Sequence, residues 1–225
     1  MPVLSYILTA LGAYLLGSIP FGYLVAKAKG IDIRSVGSGN IGATNAMRVL
    51  GKPAGIFVLL MDALKGYGAC FLGAYIYSYY FSRFNGLHST ADVIPSPSQE
   101  SLEYFVIIAG ICAVLGHNYT CWLKFKGGKG IATTAGVYLA LAPWALLIAL
   151  VVFIVALLVS RIMSVASMSG AVALPVAVWV MTPHNVFLGI VTTALGALAI
   201  YKHKSNIQRL LAGTENRFGK KKETK

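Results

Sequence analysis

Three stretches of the chain combine glycines with amide or hydroxyl side chains and a basic residue: GSGNIGATNAMR at 37–48, GHNYTCWLKFKGGKGIATT at 116–134 and HKSNIQRLLAGTE at 203–215. Glycine lets backbone N–H groups turn inward around an anion, and arginine or lysine supplies the countercharge. These are the parts of phosphate sites. Gly37, Ser38, Gly39, Asn40, Thr44, Asn45 and Arg48 make a first candidate cradle. Lys129 with the backbone amides of Gly127, Gly128 and Gly130 makes a second, at the start of an apolar run where a helix dipole would also favour an anion. His117 and His203 each open a polar segment at a helix end, as general bases or as buried hydrogen-bonding groups.

Other chemistries fail on spacing. FKGGKGIATT resembles a nucleotide-binding Walker loop, but Gly130 follows Lys129 where Ser or Thr is required, and Leu123 stands where the earlier glycine belongs. Ser38 lacks a nucleophile elbow, because Val36 occupies the first glycine position. Carboxylates outside the apolar runs on the basic side reduce to Asp32, Glu215 and Glu223, unpaired for metal binding or glycoside hydrolysis. Cys70, Cys112 and Cys121 have neither disulfide-framework nor zinc spacing and read as small buried apolar groups. No metal or cofactor is expected. No aromatic-plus-basic platform for nucleic acid accompanies the charge.

The elements that must carry these segments are membrane helices. Of 225 residues, 57% are hydrophobic and 12% charged, too apolar for an ordinary soluble domain. The start, MPVLSYILTALGAYLLGSIPFGYLVA, lacks a basic leader and reads as a retained span. Further apolar runs cover 53–81, 102–120, 162–181 and 185–201, each near the length that crosses a bilayer. The run 130–160 contains LAPWA, and Pro143 would break it. Basic residues decide its threading. They crowd 27–52, 124–129 and the tail beyond Tyr201, whereas 82–101 has one arginine against two acids. Crossing 130–160 twice returns Arg161 and the tail to the cytoplasmic side. The expectation is an all-α polytopic bundle of about seven transmembrane helices, amino terminus out and carboxyl terminus in. Its fourth span, about 130–142, is short and partly re-entrant if it does not cross. Residues 1–225 are read as one integral-membrane domain, with 82–101 an extracytoplasmic loop and 216–225 a basic tail.

Nearly all of the net charge of +12 then faces the cytoplasm and anionic lipid. Asp62 and Lys65, three apart in the second span, share a helix face and can neutralise each other, either as a structural pair or in support of a site. Arg161, flanked by Ser160 and Ser164, is an interfacial anchor or a phosphate ligand.

Taken together, GSGN…GATN…R, FKGGKG and HKSNIQRLLAGTE, in this order and with MDALKG in the second span, resemble the signature motifs of the bacterial acyl-phosphate:glycerol-3-phosphate acyltransferases, the PlsY family. The resemblance runs from Gly17 to Glu215, with Met61 where leucine is expected. It implies transfer of a fatty acyl group from acyl phosphate to the 1-hydroxyl of glycerol 3-phosphate, yielding lysophosphatidic acid and phosphate, the first step of phospholipid synthesis. It also implies a multi-pass protein of the bacterial plasma (inner) membrane, in contact with membrane lipids and independent of acyl-carrier protein and coenzyme A. The HX4D motif of other glycerol-3-phosphate acyltransferases is missing, since Val93, Trp122, Gly189 and Gln208 stand five residues after the four histidines. By the resemblance, Ser38, Asn40, Lys129, His203 and Asn206 are catalytic. Gly37, Gly39, Thr44, Asn45, Arg48, His117, Gly127, Gly128, Gly130, Arg161, Ser164, Arg209 and Glu215 bind substrate, and grooves along GAYLLG and LGAYIY suit the acyl chain. An anion transporter is the alternative, but Asp62 and Lys65 are the only charges placed in the interior of a span, Glu103 standing at the edge of its run.

Overall fold

The computed structural model describes residues 3–88 and 99–217; for 84–88 and 99–100 it describes the backbone alone. Among these residues ten α-helices occur in order: α1 Val3–Ser18, α2 Phe21–Lys27, α3 Ala43–Leu50, α4 Lys52–His88, α5 Gln99–Asn118, α6 Ile131–Leu141, α7 Pro143–Ser160, α8 Met163–Met181, α9 Val186–Lys202 and α10 Lys204–Leu211. No strand occurs among them. The chain forms two compact units, Met1–Leu141 and Ala142–Lys225.

In the first unit α1 packs on α5 and α4, and α6 packs on α4. Glycine permits the close approach. A Cβ at Gly17 would overlap the Ala113 carbonyl, and one at Gly116 the Tyr14 carbonyl. On the other side Gly66 lies against the Thr133 carbonyl and Gly136 against that of Ala63. Small residues let membrane helices gain packing contact where lipid offers no hydrophobic drive. Hydrogen bonds then lock the α1–α5 seam, from Tyr14 Oη to the Tyr119 carbonyl at 2.7 Å and from Thr120 Oγ1 to the Ser18 carbonyl at 2.6 Å.

The first apolar run is not one uninterrupted helix. It breaks at Ile19–Pro20, because proline has no N–H to continue the ladder. The second and third runs also differ from expectation, since α4 continues to His88 and α5 starts at Gln99. Both ends of 82–101, residues 82–88 and 99–101, are therefore helical, and residues 89–98 lie outside the described residues.

In the second unit α7 packs on α8 and α8 on α9. Pro143 starts α7, so the run 130–160 divides into two helices as its proline implies. The outer faces are oil: Leu158 is 72% and Val159 82% exposed, as lipid-facing side chains are in a chain without its bilayer. Among the described residues, five segments have the length and apolarity to cross a membrane, and the α9–α10 pair, bent by 53°, makes a sixth if it is one span. α6, with 11 residues, is shorter; its roughly 16 Å of rise is about half of a ~30 Å hydrocarbon core.

Candidate functional site

The 31–50 segment is braced by one side chain. Asn45, on α3, is 1% exposed. Its Nδ2 donates to the carbonyls of Ile33 at 3.2 Å and Val36 at 3.1 Å. Its Oδ1 accepts from the Ser38 N–H at 2.9 Å and from Arg48 Nη1 at 3.3 Å. Gly37 turns the chain at φ +65°, and a Cβ there would collide with Asn45 Oδ1. Glycine is required twice over, for the left-handed backbone and for the space. Asn40 Oδ1 accepts from the Gly42 N–H at 3.1 Å just ahead of α3, an Asx turn that starts the helix. Ser38 and Gly39 are exposed, Thr44 is half-buried and Arg48 is exposed. This brings the first signature together as an ordered surface. The inward-turned amides expected there are otherwise engaged: the Ser38 N–H binds Asn45, and the Gly39 N–H donates to the Val36 carbonyl at 3.1 Å.

Beneath this surface, Ala26, Ile33, Ile41, Ala46 and Val58 form a buried apolar cluster, which Leu123 joins from a single 3₁₀ turn, Cys121–Leu123. The second signature is thereby seated on the same small core as the first. Its glycine loop lies across the end of α5. The Gly127 N–H donates to the Asn118 carbonyl at 3.2 Å and the Gly128 N–H to the His117 carbonyl at 3.0 Å. A Cβ at Gly128 would strike the His117 ring, and one at Gly130 would come within 2.8 Å of Asn118 Oδ1. The expectation that the Gly127 and Gly128 amides face an anion is therefore corrected. Those amides hold the loop down, and what these glycines supply is the lack of a side chain. Lys129, half-buried, and Gly130, at φ +83°, lead directly into α6, so the lysine stands at a helix N-terminus, where dipole and charge add.

His117 is 5% exposed, with Nδ1 3.5 Å from Asp62 Oδ1 and its ring against Gly128. The ring is thus enclosed between the Asp62 carboxylate and the Gly128 backbone. Asp62 and Lys65 form the expected i,i+3 pair at 2.8 Å.

The third signature belongs to the second unit and is built around Glu215. α10 ends at Leu211 and turns at Gly213 (φ +69°), with the Gly213 N–H on the Leu210 carbonyl and the Thr214 N–H on that of Arg209. This is the Schellman end, which only a residue tolerant of the left-handed region closes easily. It folds Glu215 back over its own helix. Glu215 Oε1 accepts from Asn206 Nδ2 at 2.7 Å and Ser164 Oγ at 3.0 Å, and Oε2 accepts from Arg209 Nε at 2.7 Å. Partial burial alone would raise the carboxyl pKa, but the hydrogen bonds from Asn206, Arg209 and Ser164 outweigh it and hold the group below the ordinary carboxylate value. His203, 2% exposed, sits at the α9–α10 bend with Nδ1 2.8 Å from the Ala199 carbonyl. A carbonyl only accepts, so Nδ1 carries a proton, and Nε2 has the lone pair when the ring is neutral. Arg161 is exposed at φ +57° and caps the end of α7 through its N–H.

Sequence reasoning placed these residues in segments but missed their hubs. That Asn45 spends its amide on the loop, and that Glu215 gathers Ser164 from 51 positions away, has no local signal. Two short helices, α3 and α10, also went unread, because their turns lie within polar, glycine-flanked sequence.

Comparison with known proteins bears on the whole chain. The glycerol-3-phosphate acyltransferase family profile matches residues 7–213. Curated proteins named glycerol-3-phosphate acyltransferase from Desulforamulus reducens and Thermosynechococcus vestitus are 40% and 46% identical, over 97% and 94% of this chain and 98% and 94% of theirs. The crystal structure of PlsY, an integral membrane glycerol 3-phosphate acyltransferase, in its glycerol 3-phosphate form superimposes with a TM-score of 0.78 at 38% identity, covering 96% of both chains. The lysophosphatidic acid form gives 0.76 at 37% identity, again over 96% of both. This all-helical integral membrane protein belongs to the glycerol-3-phosphate acyltransferase family.

Proposed function

We propose that the protein transfers a fatty acyl group from acyl phosphate to the 1-hydroxyl of sn-glycerol 3-phosphate, at the cytoplasmic face of a bacterial plasma membrane. The observation that carries this reading is the likeness to PlsY over 96% of both chains, in forms with glycerol 3-phosphate and with lysophosphatidic acid. One is the acceptor and the other its acylated product.

The chemistry asks little of a nucleophile. Acyl phosphate is a mixed anhydride, already activated. The acceptor oxygen attacks the carbonyl carbon, the C–O bond to phosphorus's oxygen breaks, and inorganic phosphate leaves; the hydroxyl proton passes to His203 Nε2 or to a substrate phosphate oxygen. The protein must hold two phosphates, align the hydroxyl and stabilise the oxyanion. In this reading Ser38, Asn40, Thr44 and Arg48 hold one phosphate on the surface that Asn45 and its glycines shape. Lys129 at the head of α6 holds another. His203, Asn206, Arg209 and Glu215 serve glycerol phosphate, with Ser164 bracing Glu215 and Arg161 an anchor. The threading proposed with it has seven crossings, amino terminus out, α6 being the short one.

The donor is tested by offering purified protein palmitoyl phosphate, palmitoyl-coenzyme A or palmitoyl-acyl-carrier protein in separate reactions with glycerol 3-phosphate. Lysophosphatidic acid is expected from the phosphate alone. Product from either thioester would overturn the donor assignment.

A further inference from the structure

A buried ionic chain in the first unit is not used by the chemistry above. Asp62 is 2%, Lys65 4% and His117 5% exposed. Lys65 Nζ lies 2.8 Å from Asp62 Oδ1 and donates to the Ile19 carbonyl, also at 2.8 Å. That carbonyl stands at the break between α1 and α2. On its other side the same Asp62 oxygen faces His117 Nδ1 at 3.5 Å. The His117 ring in turn is the surface on which Gly128 rests, and the His117 carbonyl receives the Gly128 N–H at 3.0 Å. The contacts thus run without interruption from the α1–α2 break, through α4, to the loop that carries Lys129.

A buried ion pair is a poor stability device, because desolvation cancels much of its attraction. Its retention here needs another account, and the ring beside it supplies one. We propose that Asp62 is a positioning residue for the glycine loop 127–130. With Lys65 anchored on the Ile19 carbonyl, its carboxylate orients the His117 ring, and the ring sets the backbone that presents Lys129. The connection to turnover rests on the acyl transfer proposed above; the connection to loop order does not.

The test separates positioning from charge balance. The double variant Asp62→Asn/Lys65→Met removes both charges and retains shape, a change that a merely structural pair tolerates. Expected are a melting temperature within about 5 °C of wild type, exchange of the Gly127 and Gly128 amides faster by about tenfold or more with α4 and α5 still protected, and kcat/KM lower by about tenfold or more. The loss should fall on the KM of one substrate and spare the other's. Wild-type exchange in the folded double variant overturns the proposal. So does faster exchange with unchanged kcat/KM, since loop order would then not matter to turnover. If the double variant does not fold, His117→Gln, which leaves the ion pair intact, is read in the same way. If wild-type protein transfers no acyl group, the acyltransferase reading fails, and the exchange comparison alone decides whether Asp62 orders the loop.

Discussion

Asn45 in the first unit and Glu215 in the second do the same architectural work with different chemistry. Each folds a signature segment back onto a helix through one nearly buried side chain, 1% exposed for the Asn45 residue and 8% for the Glu215 side chain. An amide both donates and accepts, so Asn45 can hold a segment that offers it two carbonyls and an N–H. A carboxylate only accepts, so Glu215 gathers donors, one each from Ser164, Asn206 and Arg209. The electrostatic result differs too. Arg48 meets a neutral amide, whereas the charge of Arg209 is met by a carboxylate. In the first cluster the Arg48 charge meets only that amide among the described contacts, which in the proposed reading keeps it for a phosphate, and the second spends its charge internally.

Breaking the hubs should show the difference. The largest effect is expected for Asn45→Ala, which strands the Ile33 and Val36 carbonyls and the Ser38 N–H. With the loop unbraced, the expected loss in kcat/KM is about a hundredfold, ~2.7 kcal/mol, within the about 1–3 kcal/mol that one stranded group costs. Asn45→Asp should be nearly as harmful because it cannot donate. Glu215→Gln comes next, with a loss of about tenfold, since it keeps the shape but weakens charge-assisted bonds. If Glu215→Gln proved worse than Asn45→Asp, the ranking of the hubs would be reversed.

Acid distinguishes the two without mutation. The Glu215 pKa is lowered on folding, so its stabilisation is full above the unfolded value and is lost as pH falls through the folded one. Hydrogen exchange in the 206–215 segment should accelerate below about pH 4, while exchange at Ser38, held by an amide that does not titrate, should show no such step. The smallest effect is expected at Gly213→Ala, where a side chain in the left-handed region costs about 1 kcal/mol. Thermal unfolding of the second unit would read it, and a change at the 37–48 loop would argue against the separation of the two hubs.

Much of this is legible in the sequence. Pro143 marks the α6–α7 division, the i,i+3 spacing marks the Asp62–Lys65 pair, and the glycine segments mark the ordered surfaces. These are local signals, set by backbone sterics or helical period. The remainder depends on the tertiary fold. The ring that joins Asp62 to Gly128 comes from a different helix, 55 residues on in sequence from the aspartate to His117. The fate of the Gly127 and Gly128 amides likewise depended on which carbonyls the end of α5 would present. Glycine spacing indicates that a tight loop exists, and it is silent on which way the amides turn.

The most direct measurement follows phosphate and lysophosphatidic acid together in one reaction of purified protein with palmitoyl phosphate, with and without glycerol 3-phosphate, beside Lys129→Ala. The account predicts equal accumulation of the two products, dependence of both on the acceptor, and loss of both in the variant. Phosphate released at the same rate without the acceptor would contradict it and make the protein a hydrolase.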